Sequence, residues 1–301
     1  MKTKFNVVGI GEVLWDMLRT GRKMGGAPAN FAYHAHALGA NGMVITRVGK
    51  DELGREIVRR FGELDLPMAA VQEDGAAPTG TADVRLSGDG LAHFTIQENV
   101  AWDYLAVTPE AASAARSADA ICFGTLAQRS ATSRAAIQQL VGETPVGALR
   151  VFDINLRQLY YSREVIEQSL GLANVLKLND DELPVLATTF GLTGSTANQI
   201  ELLADRFAQR VIALTRGPRG SLLYRDGRWS DCASRPVEVV DTVGAGDSFT
   251  AALVMGLLYN LDLDEINSFA NEVARYVCSQ DGATPRTPPQ FADRFRVISS
   301  V

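Results

Sequence analysis

Short β-branched runs alternate with alanine-rich helical segments along almost the whole chain, and few folds accommodate that alternation. Strands are predicted at Asn6 to Ile10, Met43 to Val48, Ala120 to Phe123, Val151 to Ile154, Val175 to Leu178 and Val211 to Leu214. Helices are predicted at Pro28 to Leu38, Leu53 to Leu64, Ser130 to Val141, Ser195 to Ala208, Ala245 to Tyr259 and Leu263 to Cys278. Strands separated by helix-length segments pair in parallel, and the helices then cover both faces of the sheet. With 301 residues, 46% of them hydrophobic, the chain has ample material for such a core. No internal repeat or low-complexity stretch divides it, so residues 1–301 are read as a single domain.

Two segments break the alternation. Thr81 to Ile96 reads as a hairpin around Ser87-Gly88-Asp89-Gly90, and Val13 to Met24 as a shorter one around Thr20-Gly21. Segments at about 12–24 and 79–97 therefore predict a small second sheet, either a lid over the strand ends or a plain surface hairpin. A third hairpin, Ser221 to Trp229, turns at Asp226-Gly227.

Composition narrows the function. The formal charge is −6, from 29 basic and 35 acidic residues, without a Lys/Arg run, which argues against nucleic acid or an anionic membrane as partner. Cys122, Cys232 and Cys278 are widely spaced and form no C-x-x-C, which fits a reducing cytoplasm rather than a disulfide framework or a zinc site. The apolar run that follows Met1-Lys2-Thr3-Lys4 is too short for a signal peptide or a membrane span.

Asp241-Thr242-Val243-Gly244-Ala245-Gly246-Asp247-Ser248-Phe249 is the most informative motif. Glycines before a helix let backbone N–H groups face an anion, and the helix dipole adds partial positive charge there. A carboxylate beside that cradle repels phosphate but accepts a proton, a pairing suited to phosphoryl transfer onto an alcohol. The plainer reading is a loop with an Asp helix cap. Gly25-Gly26-Ala27-Pro28-Ala29-Asn30 permits close backbone approach and offers an amide to a polyol, or is simply a helix start. Thr215 to Gly220 follows a strand and reads as a phosphate loop or an ordinary turn. Asn179 and Glu182 stand three apart, either as an outer magnesium shell or as a capping box. Gly9-Ile10-Gly11 lacks the third glycine of a dinucleotide fingerprint, since position 14 is Leu14, and no G-x-x-x-x-G-K-[ST] loop occurs. His34 and His36 lie on different faces of a helix and read as ordinary helix residues.

In this order, these motifs resemble the ribokinase-like sugar kinases, the PfkB group, over nearly the full length. The resemblance implies a three-layer α/β sandwich with a mainly parallel sheet and a small β-lid, ATP as donor and a sugar alcohol as acceptor. It assigns Asp247 as general base, with Gly244, Ala245 and Gly246 as the anion hole. Asp16, Gly26 and Asn30 fall where the family holds sugar hydroxyls, and Arg157 offers a fork to sugar or phosphate oxygens. Thr215, Gly217 and Gly220 fall on the nucleotide loop, and Asn271 towards the adenine side. Asn179 and Glu182 would hold Mg²⁺ through water, and Asp241, Val243 and Gly282 a monovalent cation such as K⁺. The family also implies a homodimer formed through the lid.

Within the group, Gly9-Ile10-Gly11-Glu12 and Phe152-Asp153-Ile154-Asn155-Leu156-Arg157 look most like fructokinases and 2-keto-3-deoxygluconate kinases, with Ile154 in the place of a usual proline. D-Fructose is the acceptor expected, with a sugar acid or a nucleoside as alternatives. A nucleoside would want an aromatic sandwich, for which Phe94, Trp102 and Tyr104 are the nearby rings. A silent sugar-binding regulator on the same fold is the non-enzyme alternative. A carboxylate of ordinary Asp pKa is expected to suffice as base, because in a loose transition state proton removal need not lead.

Overall fold

A computed structural model describes residues 4–18, 21–86 and 92–299. Its strands are β1 (Asn6–Ile10), β2 (Leu14–Leu18), β3 (Gly21–Gly25), β4 (Asn41–Gly49), β5 (Val71–Asp74), β6 (Gly80–Leu86), β7 (Ala92–Ile96), β8 (Ala120–Phe123), β9 (Leu149–Asp153), β10 (Val175–Asn179), β11 (Val211–Thr215), β12 (Ser221–Arg225) and β13 (Arg228–Cys232). Its helices are α1 (Ala27–Ala37), α2 (Glu52–Glu63), α3 (Pro109–Ser117), α4 (Ala131–Gly142), α5 (Arg163–Leu172), α6 (Glu182–Phe190), α7 (Thr196–Phe207), α8 (Ala245–Leu258), α9 (Leu263–Cys278) and α10 (Pro289–Ser299).

The large sheet runs β13-β12-β11-β10-β9-β8-β1-β4-β5, parallel from β11 through β5 and antiparallel only at the β12 and β13 edge. Alternate side chains of its central strands enter two different cores, as the period of 2 requires. Val8, Ile121, Phe152, Leu176 and Ile212 pack with α3 to α7. Their neighbours Val7, Cys122, Val151, Val175 and Val211 pack with α1 and with α8 to α10. Both faces are covered, which is the three-layer sandwich expected.

The smaller sheet has the order β3-β2-β6-β7 and unites the two predicted hairpins. The Ser87–Gly90 turn and Thr20 lie outside the described residues. The third hairpin turns at Asp226 and Gly227, with φ of 49° and 80° as a two-residue turn demands. One arginine clamps both roots of the lid. The Arg129 guanidinium lies 4.0 Å from the Trp102 ring centroid and 4.7 Å from that of Tyr160. It donates twice to Asp103, at 2.9 and 2.8 Å, and again to the Gln97 carbonyl just beyond β7. At the other root Gly80 has room for no side chain, since a Cβ there would stand 2.3 Å from Trp102 Nε1.

Candidate active site

The sheet reverses its direction of growth beside β1: β4 and β5 extend one way, β8 to β13 the other. In an open parallel sheet the crevice at such a switch, beyond the carboxyl ends of the strands, is the natural ligand site. Glu12 follows β1 there, Asp153 ends β9 with Arg157 just beyond, Asn179 ends β10 and Thr215 ends β11. Helix α1 reaches the same end because Gly9 lacks a side chain; a Cβ on Gly9 would stand 2.0 Å from the Pro28 carbonyl oxygen.

The Gly244 to Asp247 segment opens α8. Gly244 is its N-cap at φ 79°, with no side chain capping the first turn, and a Cβ on it would stand 2.5 Å from the Ala283 carbonyl oxygen. Buried His34 donates from Nε2 to that same carbonyl at 2.9 Å; burial lowers its pKa to about 4, so the ring is neutral. Asp247 lies in the first turn of α8 and caps nothing. Its Oδ2 accepts instead from Asn30 Nδ2 at 2.8 Å, across to α1, so the capping alternative is set aside. The expectation of an ordinary carboxyl is corrected: burial, then Asp153, pushes Asp247 up to about 6 against the pull of Asn30, Lys177 and Arg157.

Behind the loop stands a cation that the motifs did not reveal. Lys177 Nζ lies 3.2 Å from the place a Cβ on Gly246 would take, and pairs with Asp153 Oδ1 at 3.0 Å. Asp153 Oδ2 accepts from Thr250 Oγ1 at 3.0 Å, which ties the pair to α8. Burial opposes a charge on Lys177, but Asp153, Glu182 and Asp247 outweigh it and raise its pKa, so the ammonium persists. Ile154, where a proline was expected, donates its N–H to the Lys177 carbonyl at 3.1 Å, a bond proline lacks the hydrogen to make.

Of the residues expected to meet the acceptor, Asp16 lies in β2, and burial raises its pKa against the pull of Arg157. Gly25 and Gly26 admit no side chain: a Cβ on Gly25 would stand 2.7 Å from Asp16 Oδ2, and one on Gly26 2.5 Å from the Glu12 carbonyl oxygen. Asn30 Oδ1 and Glu12 Oε2 are both buried without a hydrogen-bond partner. Arg157 is exposed, on a loop where Asn155 has φ 40°, and its charge lowers the pKa of Glu12, Asp16 and Asp247.

Of the residues expected on the nucleotide side, Asn179 and Glu182 form a reciprocal cap. Asn179 Oδ1 accepts from Glu182 N at 2.9 Å and Glu182 Oε2 from Asn179 N at 2.8 Å. Glu182 Oε1 accepts from Leu156 N at 2.9 Å, so both oxygens already hold a main-chain bond. Each oxygen keeps a second lone pair, which leaves room for metal-bound water but ill suits direct ligation. Gly217 and Gly220 have φ of 54° and 88°, and a Cβ on Gly220 would stand 1.9 Å from the Cys232 carbonyl oxygen, so that glycine serves the turn itself. Thr215 pairs with Asn179 across the β10–β11 ladder. Asn271 Nδ2 donates to Ser221 Oγ at 2.6 Å, below that turn. Asp241 gathers Val243 N at 3.0 Å and Gly282 N at 3.2 Å, together with Lys23 Nζ from the lid at 3.3 Å. The expected cation position thus already meets an ammonium of the chain.

The sequence model of the pfkB family carbohydrate kinases matches residues 5–290. This chain is a member of the PfkB family of carbohydrate kinases. An uncharacterised sugar kinase of Pyrococcus horikoshii is 29% identical, with 93% of each chain covered. The fructokinase of Klebsiella pneumoniae is 28% identical, with 88% of each covered. Among solved structures, the Xylella fastidiosa fructokinase with bound ATP superposes with a TM-score of 0.84 at 22% identity, covering 98% of this chain and 99% of that one; it shares the fold.

Three residues that stand at the candidate site of this PfkB kinase, Lys177, Asp153 and Thr250, were not singled out from the sequence. Lys177 left a usable trace: a lysine inside Val-Leu-Lys-Leu, a strand with covered faces, has to be paired. Of the rings named for an aromatic sandwich, Trp102 is fully buried under Arg129 and offers no free face, and the side chain of Phe94 lies outside the described residues.

Proposed function

We propose that the enzyme transfers the γ-phosphoryl group of ATP to a primary hydroxyl of D-fructose. The supporting observation is the Asn30–Asp247 bond at 2.8 Å beside the Gly244 to Gly246 amides. Asn30 occupies one carboxylate oxygen, and the other is left for the hydroxyl proton. Gly246 opens α8 with an N–H that has no partner within the helix, whereas the Ala245 N–H already meets the Thr242 carbonyl at 3.3 Å. Gly246 and the dipole would therefore face the transferring oxygens first, and Ala245 would have to give up that long bond to join them. Lys177, charged and directly behind Gly246, adds full positive charge at the same point. Asp16, Asn30 and Gly26 orient the sugar.

Thr215, Gly217 and Gly220 would line the nucleotide phosphates, with Asn271 holding the turn from below. Mg²⁺, when bound, would offset phosphate charge, and its water shell would meet Asn179 and Glu182. A monovalent cation at Asp241, Val243 and Gly282 would compete with Lys23 for the Asp241 carboxylate. We also infer pairing of two copies through the lid.

A coupled ADP-release assay over a panel of neutral sugars, sugar acids and nucleosides, at saturating ATP and Mg²⁺, tests the reading. D-Fructose should lead. Turnover confined to a nucleoside would refute it.

A further inference from the structure

Lid strand β3 reaches back to the body of the enzyme through Lys23. Its Nζ lies 2.6 Å from Asp281 Oδ1 and 3.3 Å from Asp241 Oδ2. The Asp281 contact alone would hold little, because that carboxylate is 77% exposed. Asp241 is 18% exposed and stands just ahead of Gly244, the N-cap of α8. Both of its oxygens are engaged. Oδ1 accepts from Val243 N at 3.0 Å, and Oδ2 accepts from Gly282 N at 3.2 Å as well as from Lys23.

These bonds do not make an alkali-ion site. Such an ion is held by oxygen atoms that replace its water shell. Among the described residues, every hydrogen bond to Asp241 comes instead from an N–H group. A primary ammonium suits the place, since it is close to K⁺ in size and charge and brings donors on a flexible stem. An entering K⁺ would have to displace it.

The segment that Lys23 fastens forms one wall of the anion loop. Gly244 packs so closely on the Ala283 carbonyl that it leaves no room for a Cβ. Helix α1 holds the same segment twice more, from His34 Nε2 to the Ala283 carbonyl at 2.9 Å and from Tyr33 Oη to the Pro285 carbonyl at 2.8 Å. Strand β3 leads straight into α1, whose Asn30 holds Asp247. A positive charge at this corner therefore steadies the approach to the loop without touching substrate.

We propose that Lys23 is a positioning residue that stands in for a monovalent cation: its ammonium balances Asp241 and holds the approach to the Gly244–Gly246 amides, so the kinase turns over without K⁺. This rests on the phosphoryl-transfer reading and deepens it, because one charge then fastens the lid and the anion loop together.

The test compares wild type with Lys23→Met in KCl and in tetramethylammonium chloride of equal ionic strength, at saturating ATP, Mg²⁺ and sugar. Tetramethylammonium is too large to take the place of an ammonium. Wild type should run equally fast in both salts. Lys23→Met keeps the stem and removes the charge. A shift of ~1 Å in a catalytic group costs about 10²-fold, so kcat of the variant in tetramethylammonium should fall at least about tenfold. KCl should restore most of that loss, which a tether without an electrostatic role would not show. Activation of wild type by K⁺ overturns the proposal, as do an unimpaired Lys23→Met and a loss that K⁺ leaves unrepaired.

Melting supplies a readout free of turnover. K⁺ bound only by folded Lys23→Met should raise its Tm above the tetramethylammonium value, whereas wild type should melt alike in both salts. A variant that gains nothing from K⁺ overturns the proposal. If no acceptor supports turnover, the kinase reading fails and the melting comparison still decides the role of Lys23. If Lys23→Met fails to fold, the wild-type response to K⁺, in turnover and in melting, decides alone.

Discussion

Asn30 and Asp247, 217 positions apart in the chain, are joined by one 2.8 Å hydrogen bond between the first turns of α1 and α8. That bond occupies one oxygen of the Asp247 carboxylate and leaves the other without an Asn30 partner. Asp247→Asn keeps the shape and removes the proton acceptor. Its kcat should fall by about 10²–10⁴-fold, the usual worth of a general base, with sugar KM changed far less. A variant that retains most of its turnover would show that Asp247 is not the base.

The raised pKa of Asp247 sets a pH window. If Asp247 is the base, it works only when ionised, so kcat should be level well above its pKa, half-maximal near about pH 6 and lower still below it. Asn30→Ala removes a bond that holds this pKa down, so the acid limb should move to higher pH. A limb that stays put in that variant would separate Asn30 from the base.

The two glycines of the cradle fail for different reasons. Gly244→Ala places a Cβ 2.5 Å from the Ala283 carbonyl at a φ of 79°, so it should destabilise the fold by about 1–3 kcal/mol. Gly246 has an ordinary φ, and its obstacle is Lys177 Nζ at 3.2 Å. Gly246→Val should therefore displace the ammonium and collapse ATP turnover while melting changes less. Thermal melts and turnover of the two variants, measured together, test the division.

Much of this site was legible because it lies in contiguous motifs. The glycine-rich approach to α8, the helix start at Asn30 and the hairpins of the lid are local, and turn and cap chemistry reads them directly. The β12–β13 turn fell on Asp226-Gly227 as expected. What stayed hidden depends on register between distant strands. Lys177 meets Asp153 because β10 pairs with β9 so that these two stand side by side, and no spacing within either segment encodes that. The pKa of Asp247 was misjudged for a related reason: burial raises it most and the Asp153 carboxylate next, and both depend on how β9 and its neighbours pack against α8.

Glu182 carries two readings that one variant separates. In Glu182→Gln, one oxygen becomes an amide nitrogen, which faces a main-chain N–H of Asn179 or Leu156 and leaves it unpaired. That should cost about 1–3 kcal/mol in stability. If Glu182 also meets metal-bound water, the Mg²⁺ concentration for half-maximal rate should rise while sugar KM holds. Lower stability with an unchanged magnesium titration assigns Glu182 to the cap alone.

Lys177 poses the same question more sharply, because it is both a buried ion-pair member and the charge behind the anion loop. Its side chain is 7% exposed and that of Asp153 6%, so Lys177→Met strands a carboxylate in the interior. Breaking such a pair from one side costs about 3–5 kcal/mol, whereas replacing both members is far milder. Lys177→Met should therefore melt early, and adding Asp153→Asn should recover much of the loss, since an amide still bonds Thr250. Catalysis should not follow. If the ammonium helps to hold the transferring phosphoryl oxygens, the stable double variant should keep its sugar affinity and lose about 10²-fold or more in kcat, the scale seen when one fixed electrostatic partner of a transition state is removed. Recovery of kcat together with stability would make Lys177 a structural lysine only.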